Sequence, residues 1–152
     1  RDGFILAALG CQVHLFERHP VVAALLQDGL QRALADDNTH VIAARMQLTS
    51  DSFLMATGLN SEVVYLDPMY PQKQKSAAVK KEMAYFHALV GSNDDDVALL
   101  KQAALFANKR IVVKRPRLGV FLANQEPDYQ YSGKSTRFDV YLPTKLQDAL
   151  AS

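Results

Sequence analysis

The sequence predicts an α/β fold in which mostly parallel strands alternate with helices and an antiparallel hairpin closes the sheet. Three observations carry that reading. Short apolar runs, Val63-Val64-Tyr65-Leu66 and Ile111-Val112-Val113, have the length of buried strands and are separated by helical stretches. Both runs end in charge, at Asp67 and at Lys114-Arg115, as strands do at the working edge of an open α/β sheet. Near the carboxyl end, Tyr129–Tyr131 and Arg137–Leu142 flank Ser132-Gly133-Lys134-Ser135, the pattern of a hairpin.

Each element has its own signal. Arg1 to Leu9 reads as a helix already under way, stopped by Gly10 as its C′ residue. Cys11 to Glu17 alternates and reads as a strand with an acidic end. His19 to Leu34 is helical: Pro20 suits the first helical position, and Val22, Leu26 and Leu30 recur at four-residue spacing. Val41 to Met46 continues as helix or bridges to a short strand at Met46–Thr49, with Asp51-Ser52 as its polar tip. Leu59-Asn60-Ser61 turns the chain into the Val63 strand. After Pro71, the Gln72–Ser76 stretch reads as a surface loop and Ala77–Leu89 as a helix. Gly91 to Asp96 supplies a turn and acidic first-turn residues for a helix running to about Ala107. The expected organisation is one domain over residues 1–143, with a tail over 144–152 that is a short helix or disordered.

Composition narrows the function classes. Net charge is +1, from 17 basic and 16 acidic residues, so only the distribution of charge can speak for a nucleic-acid partner. The lone cysteine, Cys11, excludes an internal disulfide and suits a reducing, cytoplasmic setting. No run of 18 apolar residues occurs, so no membrane span is expected. The four histidines lack metal-ligand spacing, and no phosphate-binding glycine loop is present, so no metal site and no nucleotide hydrolysis are expected.

The chemistry concentrates at Asp67-Pro68-Met69-Tyr70-Pro71. Two prolines stiffen this turn, fixing their own φ and restricting the residue before each. Alkylating the exocyclic amine of a planar base requires an aromatic face for the ring and acceptors for the N–H. Tyr70 offers the face, and the Asp67 carboxylate and Pro68 carbonyl offer the acceptors. A proline-punctuated turn with Tyr70 in the core would show the same letters. Glu17, at the end of its strand, suits ribose hydroxyls because a carboxylate only accepts, and a solvated strand-end acid reads alike. Asp51 and Ser52 could meet an adenine edge. Basic residues gather after the turn at Lys73, Lys75, Lys80 and Lys81, and flank and end the late strand at Lys109, Arg110, Lys114, Arg115 and Arg117. In a parallel sheet Lys114 and Arg115 are expected on the same rim as Asp67, where phosphates would dock.

On these residues the chain resembles class I S-adenosylmethionine-dependent methyltransferases, and more closely the RsmJ family of bacterial 16S ribosomal RNA guanine-N2 methyltransferases. The runs that carry the resemblance are Phe16-Glu17-Arg18-His19-Pro20-Val21-Val22, Val64-Tyr65-Leu66-Asp67-Pro68-Met69-Tyr70-Pro71 with Lys73-Gln74-Lys75-Ser76, and Val112-Val113-Lys114-Arg115-Pro116. The resemblance implies a Rossmann-like fold whose first strand and glycine-rich loop would precede Arg1 in a longer protein. It implies S-adenosylmethionine held by Arg1-Asp2, the Glu17-Arg18 pair, Ser52 and Phe53, with Asp67 between cofactor and base. Phe53 stands where the family has a second small hydroxyl residue. The implied partner is small-subunit ribosomal RNA, free or in the assembled 30S subunit. Related Asp/Asn-Pro-x-aromatic turns also serve N6-adenine and protein-glutamine methylation. A non-catalytic RNA-binding or assembly module with a degenerate cofactor pocket is the remaining alternative.

Overall fold

The computed structural model describes residues 1–68 and 93–151. The chain forms two compact units, Arg1–Thr57 and Gly58–Ser152. The helix expected over Ala77–Leu89 lies outside the described residues, as do Tyr70, Lys73, Lys75, Lys80 and Lys81.

In the first unit α1 (Asp2–Ala8) leads into β1 (Val13–Phe16), α2 (Pro20–Ala35), a single turn α3 (His40–Ala43) and β2 (Met46–Thr49). The two strands pair in parallel, Val13 with Met46 through Phe16 with Thr49. Gly10 ends α1 at φ 100°, and the amides of Gly10 and Cys11 donate to the carbonyls of Ala7 and Leu6. That is a Schellman stop, in which a residue without a Cβ takes the left-handed position. Gly3 has a different reason: a Cβ there would meet Leu15 Cδ2 at 2.7 Å, so its absence lets α1 lie close on β1. Pro20 occupies the first turn of α2, where a missing N–H costs nothing.

In the second unit the strands are β3 (Ser61–Leu66), β4 (Ala107–Pro116), β5 (Tyr129–Ser132) and β6 (Thr136–Tyr141), ordered β3-β4-β6-β5. β3 and β4 run parallel, and β4, β6 and β5 pair antiparallel, which gives the expected closing hairpin. Helix α4 (Asn93–Phe106) precedes β4 and α5 (Pro143–Ala151) follows β6. The residues beyond 143, expected as a helical or disordered tail, form that helix; Leu146 is buried and Gln147 Nε2 donates to Ala104 O of α4 at 2.7 Å.

Side-chain alternation makes one sheet face the core of this unit. Val64 and Leu66 of β3 stand beside Ile111 and Val113 of β4, and Tyr141 stands opposite Ile111, all buried. Leu100, Ala103 and Ala104 of α4 recur at helical spacing and are buried too, the small residues allowing close packing. β3 is less enclosed than its apolar letters suggest. Val63 is 44% exposed, so β3 alternates where a continuously buried strand was expected.

Candidate functional site

Two strand edges carry the sequence-predicted residues, one in each unit. In the first unit, β1 and β2 end together, with Glu17 N donating to Thr49 O at 3.1 Å. Glu17 and Ser52 therefore both follow carboxyl ends at the same edge. The Arg45 guanidinium, just before β2, donates to Ala7 O at the far end of α1. Helix α1 thus runs antiparallel to the strands and returns Asp2 toward the Glu17 edge.

Local hydrogen bonds fix this edge. Glu17 Oε1 accepts from His19 N at 2.8 Å, which holds the carboxylate over the start of α2 while leaving Oε2 able to accept from another donor. Arg18 is exposed beside it, and Arg1 is an exposed residue 3.8 Å from Asp2. Ser52 caps a 3₁₀ turn over Phe53–Met55, its Oγ accepting from Leu54 N at 3.3 Å, and Asp51 Oδ1 accepts from Ser52 N at 2.6 Å. The Phe53 ring meets Phe16 edge-on, 5.6 Å between centroids, and Phe16 in turn stacks on His14. An acceptor, a hydroxyl and an aromatic surface are gathered at one strand edge.

In the second unit, Asp67 follows β3 and Lys114 lies near the end of β4. Leu66 pairs with Val113, so the next residues, Asp67 and Lys114, stand side by side on the face opposite the core. Lys114 Nζ donates to Asp67 Oδ2 at 3.1 Å, with side-chain exposures of 26% and 51%. Pro68 continues directly from the acid.

Arg115 corrects the sequence expectation of a basic rim. It alternates with Val113 and Ile111 and is 1% exposed. Its Nε donates to Val120 O at 2.9 Å, and Nη2 donates to the same carbonyl. Burial pulls its guanidinium down to about 10, opposed by the negative charge of the nearby Asp139 carboxylate. The side chain is spent on the loop that follows its own strand and is not offered to a phosphate.

Opposite it across the β4–β6 pairing is Arg137, also buried. Arg137 grips the fully buried Asp139 with Nε on Oδ1 at 2.7 Å and Nη2 on Oδ2 at 3.0 Å, the two-pronged geometry that planar guanidinium favours. It also donates to Arg117 O and Gly119 O, each at 2.9 Å, and lies 5.0 Å from the Phe121 ring centroid. Gln130 Nε2 completes the acid's coordination at 2.7 Å. Arg137 is thus paired with an acid two residues along its own strand. What the sequence reading missed is that both arginines hold the 117–120 loop by its carbonyls. The two-residue spacing of Arg137 and Asp139 was the available signal, since such residues share a strand face.

A family model described as "Putative SAM-dependent methyltransferase" matches residues 1–143. The chain belongs to the SAM-dependent methyltransferases. It is 58% identical over 149 residues to a ribosomal RNA small subunit methyltransferase J of Neisseria gonorrhoeae, covering 94% of this chain and 60% of that protein. It is 53% identical over 147 residues to the protein of the same name from Laribacter hongkongensis, covering 94% and 52%. The crystal structure of a SAM-dependent methyltransferase from Neisseria gonorrhoeae is similar at a TM-score of 0.78 and 51% identity, over 93% of this chain and 57% of that one. The chain thus spans between half and two thirds of the length of these relatives. Both edges of this methyltransferase chain lie at carboxyl ends of parallel strands, where such sheets carry their ligands. Among the described residues no group of three or more metal-binding side chains occurs, and no helix is long and apolar enough to cross a membrane.

Proposed function

We propose that the protein transfers a methyl group from S-adenosylmethionine to the exocyclic N2 amine of a guanine in small-subunit ribosomal RNA, in the cytoplasm, acting on free RNA or on the 30S subunit. The observation that carries the reading is the Asp67 carboxylate at the end of β3, followed by Pro68 and hydrogen-bonded to Lys114. The high identity to proteins named ribosomal RNA small subunit methyltransferase J supports the substrate class.

The first-unit edge fits the cofactor's chemistry. Glu17 has acceptor capacity for a ribose diol beyond its bond to His19 N, and Ser52 and the Phe53 ring offer a polar atom and an aromatic surface for a nucleoside. Arg1, Asp2 and Arg18 would complete that edge. When bound, the cofactor supplies an electrophilic methyl on a sulfonium, so the protein's own task is alignment and exclusion of water.

Asp67 does the positioning. The lone pair of a guanine amine is delocalised into the ring, which makes it a poor nucleophile. Accepting its N–H bonds on Asp67 and the Pro68 carbonyl favours the pyramidal nitrogen of the transition state. The proton leaves to Asp67 or to water. Lys114 favours guanine over adenine: an ammonium beside the carboxylate complements a base edge that presents N–H donors next to a carbonyl acceptor. Tyr70 would hold the ring face, and Lys73, Lys75 and Lys80 would hold phosphates.

The test is tritiated-methyl transfer to undermethylated small subunits followed by mapping of the modified base, with wild type and Asp67→Ala in the full-length protein. Labelled N2-methylguanine from wild type and none from the variant is expected. Methylation by the variant at the wild-type rate, or label on adenine or protein, overturns the reading.

A further inference from the structure

We propose that the loop after β4, with Leu118 at its tip, is a wedge that enters the RNA beside the target nucleotide and holds the base out of its stack, while Arg117 and Lys134 clamp the flanking phosphates. The inference rests on the functional reading above and deepens it.

The first observation is how the loop is held. The buried charged side chains among the described residues are Arg115, Arg137 and Asp139. Both guanidiniums are aimed at this loop: Arg115 at Val120 O, Arg137 at Arg117 O and Gly119 O. Burying a guanidinium costs several kcal/mol before its partners offset it. Two of them fix the carbonyls of one short surface loop, and Gly119 N donates back to Pro116 O at 2.9 Å to tighten it further.

The second observation is what the rigid loop displays. Leu118 is 95% exposed and Val120 68% exposed. A lone exposed leucine is ordinary. A leucine held fully in solvent by a loop that two buried cations immobilise is a preorganised apolar projection.

Charge and location decide the partner. Antiparallel pairing sets Pro116 opposite Thr136, so the β5–β6 turn comes to the end of β4, and Arg117 N donates to Ser135 O at 3.0 Å. The result is an open cleft of about 400 Å³ lined by Pro116, Arg117, Leu118, Lys134 and Ser135. Arg117 and Lys134 are both exposed there, separated by 17 positions in sequence yet brought to one cleft. Two cations around an apolar tip complement a phosphate backbone with a gap between bases, and not an apolar peptide or a second copy of this surface. The cleft begins two residues beyond Lys114 along β4, roughly 7 Å, about one nucleotide from the Asp67–Lys114 pair. An enzyme acting on a base amine within structured RNA must unstack that base, and inserted apolar side chains are the usual means of holding such a gap open.

The experiment compares wild type, Arg117→Ala/Lys134→Ala, Leu118→Ala and Leu118→Met in the full-length protein. S-adenosylmethionine affinity is measured by calorimetry, ribosomal RNA affinity by filter binding across salt concentrations, and methyl transfer to undermethylated 30S subunits by steady-state kinetics. The double variant should weaken RNA binding by about tenfold or more and flatten the slope of log K against log salt by about 1.4 to 1.8, the share of two phosphate contacts. Leu118→Ala should lower kcat at least tenfold with KM within twofold, and Leu118→Met should restore most of it. All variants should keep the wild-type cofactor affinity and melting temperature. Wild-type RNA affinity and salt slope in the double variant, or wild-type kcat in Leu118→Ala, overturns the wedge while leaving the functional reading intact. A wild type that binds cofactor yet methylates no RNA overturns the functional reading, and the wedge with it.

Discussion

Lys114 Nζ and Asp67 Oδ2 lie 3.1 Å apart across two adjacent parallel strands, on the sheet face away from the core. The β3–β4 pairing shifts register between Ser61 and Val63, and beyond that point a one-residue slip would turn one of the two toward the core. Both side chains are partly exposed, so the pair contributes at most about 1 kcal/mol to stability. Its weight falls on the substrate. Lys114→Met should leave the urea midpoint almost unchanged and lower kcat/KM for methyl transfer by about 10- to 150-fold, the loss of one hydrogen bond to a charged group. Equal activity in the two proteins would remove Lys114 from the site.

Glu17 divides its carboxylate between a structural and a binding role. Oε1 is engaged by His19 N at the entrance to α2. Glu17→Ala removes both this bond and the proposed acceptor for ribose hydroxyls. Calorimetric titration of the full-length variant with S-adenosylmethionine should show affinity reduced by about 10- to 150-fold, again one charge-assisted bond. Loss of the His19 contact alone, at an exposed turn, should cost no more than about 1 kcal/mol of stability. A large loss of stability with unchanged affinity would make Glu17 a helix-entry residue only.

The Arg137–Asp139 pair behaves oppositely, because it is buried. Asp139 is fully enclosed, and Arg137, Gln130 and the sheet occupy its surroundings. Removing the acid leaves two buried guanidiniums without their carboxylate. Asp139→Ala should cost about 3 to 5 kcal/mol in urea denaturation. Gln130→Ala, which removes one donor from a neighbour that keeps its bidentate partner, should cost about 1 kcal/mol.

Local letters made much of this legible. Gly10 and Pro20 marked helix ends because each does something few other residues can at those backbone positions, and the apolar runs marked strands. Asp67 was readable as a strand-end acid for the same reason. Arg115 was not: in the run Lys114-Arg115-Pro116-Arg117 all three cations look alike, and only strand alternation, anchored by Ile111 and Val113, separates the buried one from its neighbours. The cleft of Arg117 and Lys134 was out of reach for a different reason. It exists because Pro116 pairs with Thr136, and pairing between strands distant in sequence depends on register that no local pattern prints. The contact of Lys114 with Asp67 is legible only after that same step.

The junction of β6 and α5 carries a pH dependence. Asp128 accepts from Leu142 N at 2.7 Å and from Lys145 Nζ at 2.9 Å, tying the loop before β5 to the start of α5. Burial works against its charge, but these two hydrogen bonds and the Lys145 charge together outweigh it and hold the carboxyl below its usual range. A carboxyl lowered in the folded state stabilises the fold at any pH above the unfolded value of about 3.9. That contribution fades as pH falls through this value toward the lower folded one. Since Lys145 is exposed, the contribution is no more than about 1 kcal/mol. Urea denaturation of wild type and Asp128→Asn should therefore differ by a constant amount between pH 5 and pH 7, estimated at about 1 kcal/mol or less, with wild type the more stable. The difference should shrink below about pH 4. Raising salt should reduce only the share owed to Lys145, because the Leu142 N–H bond is not a charge pair and is screened less. A gap that stays constant down to pH 3, where the carboxyl is mostly protonated in the unfolded chain, would show that the Asp128 contribution is steric and not ionic.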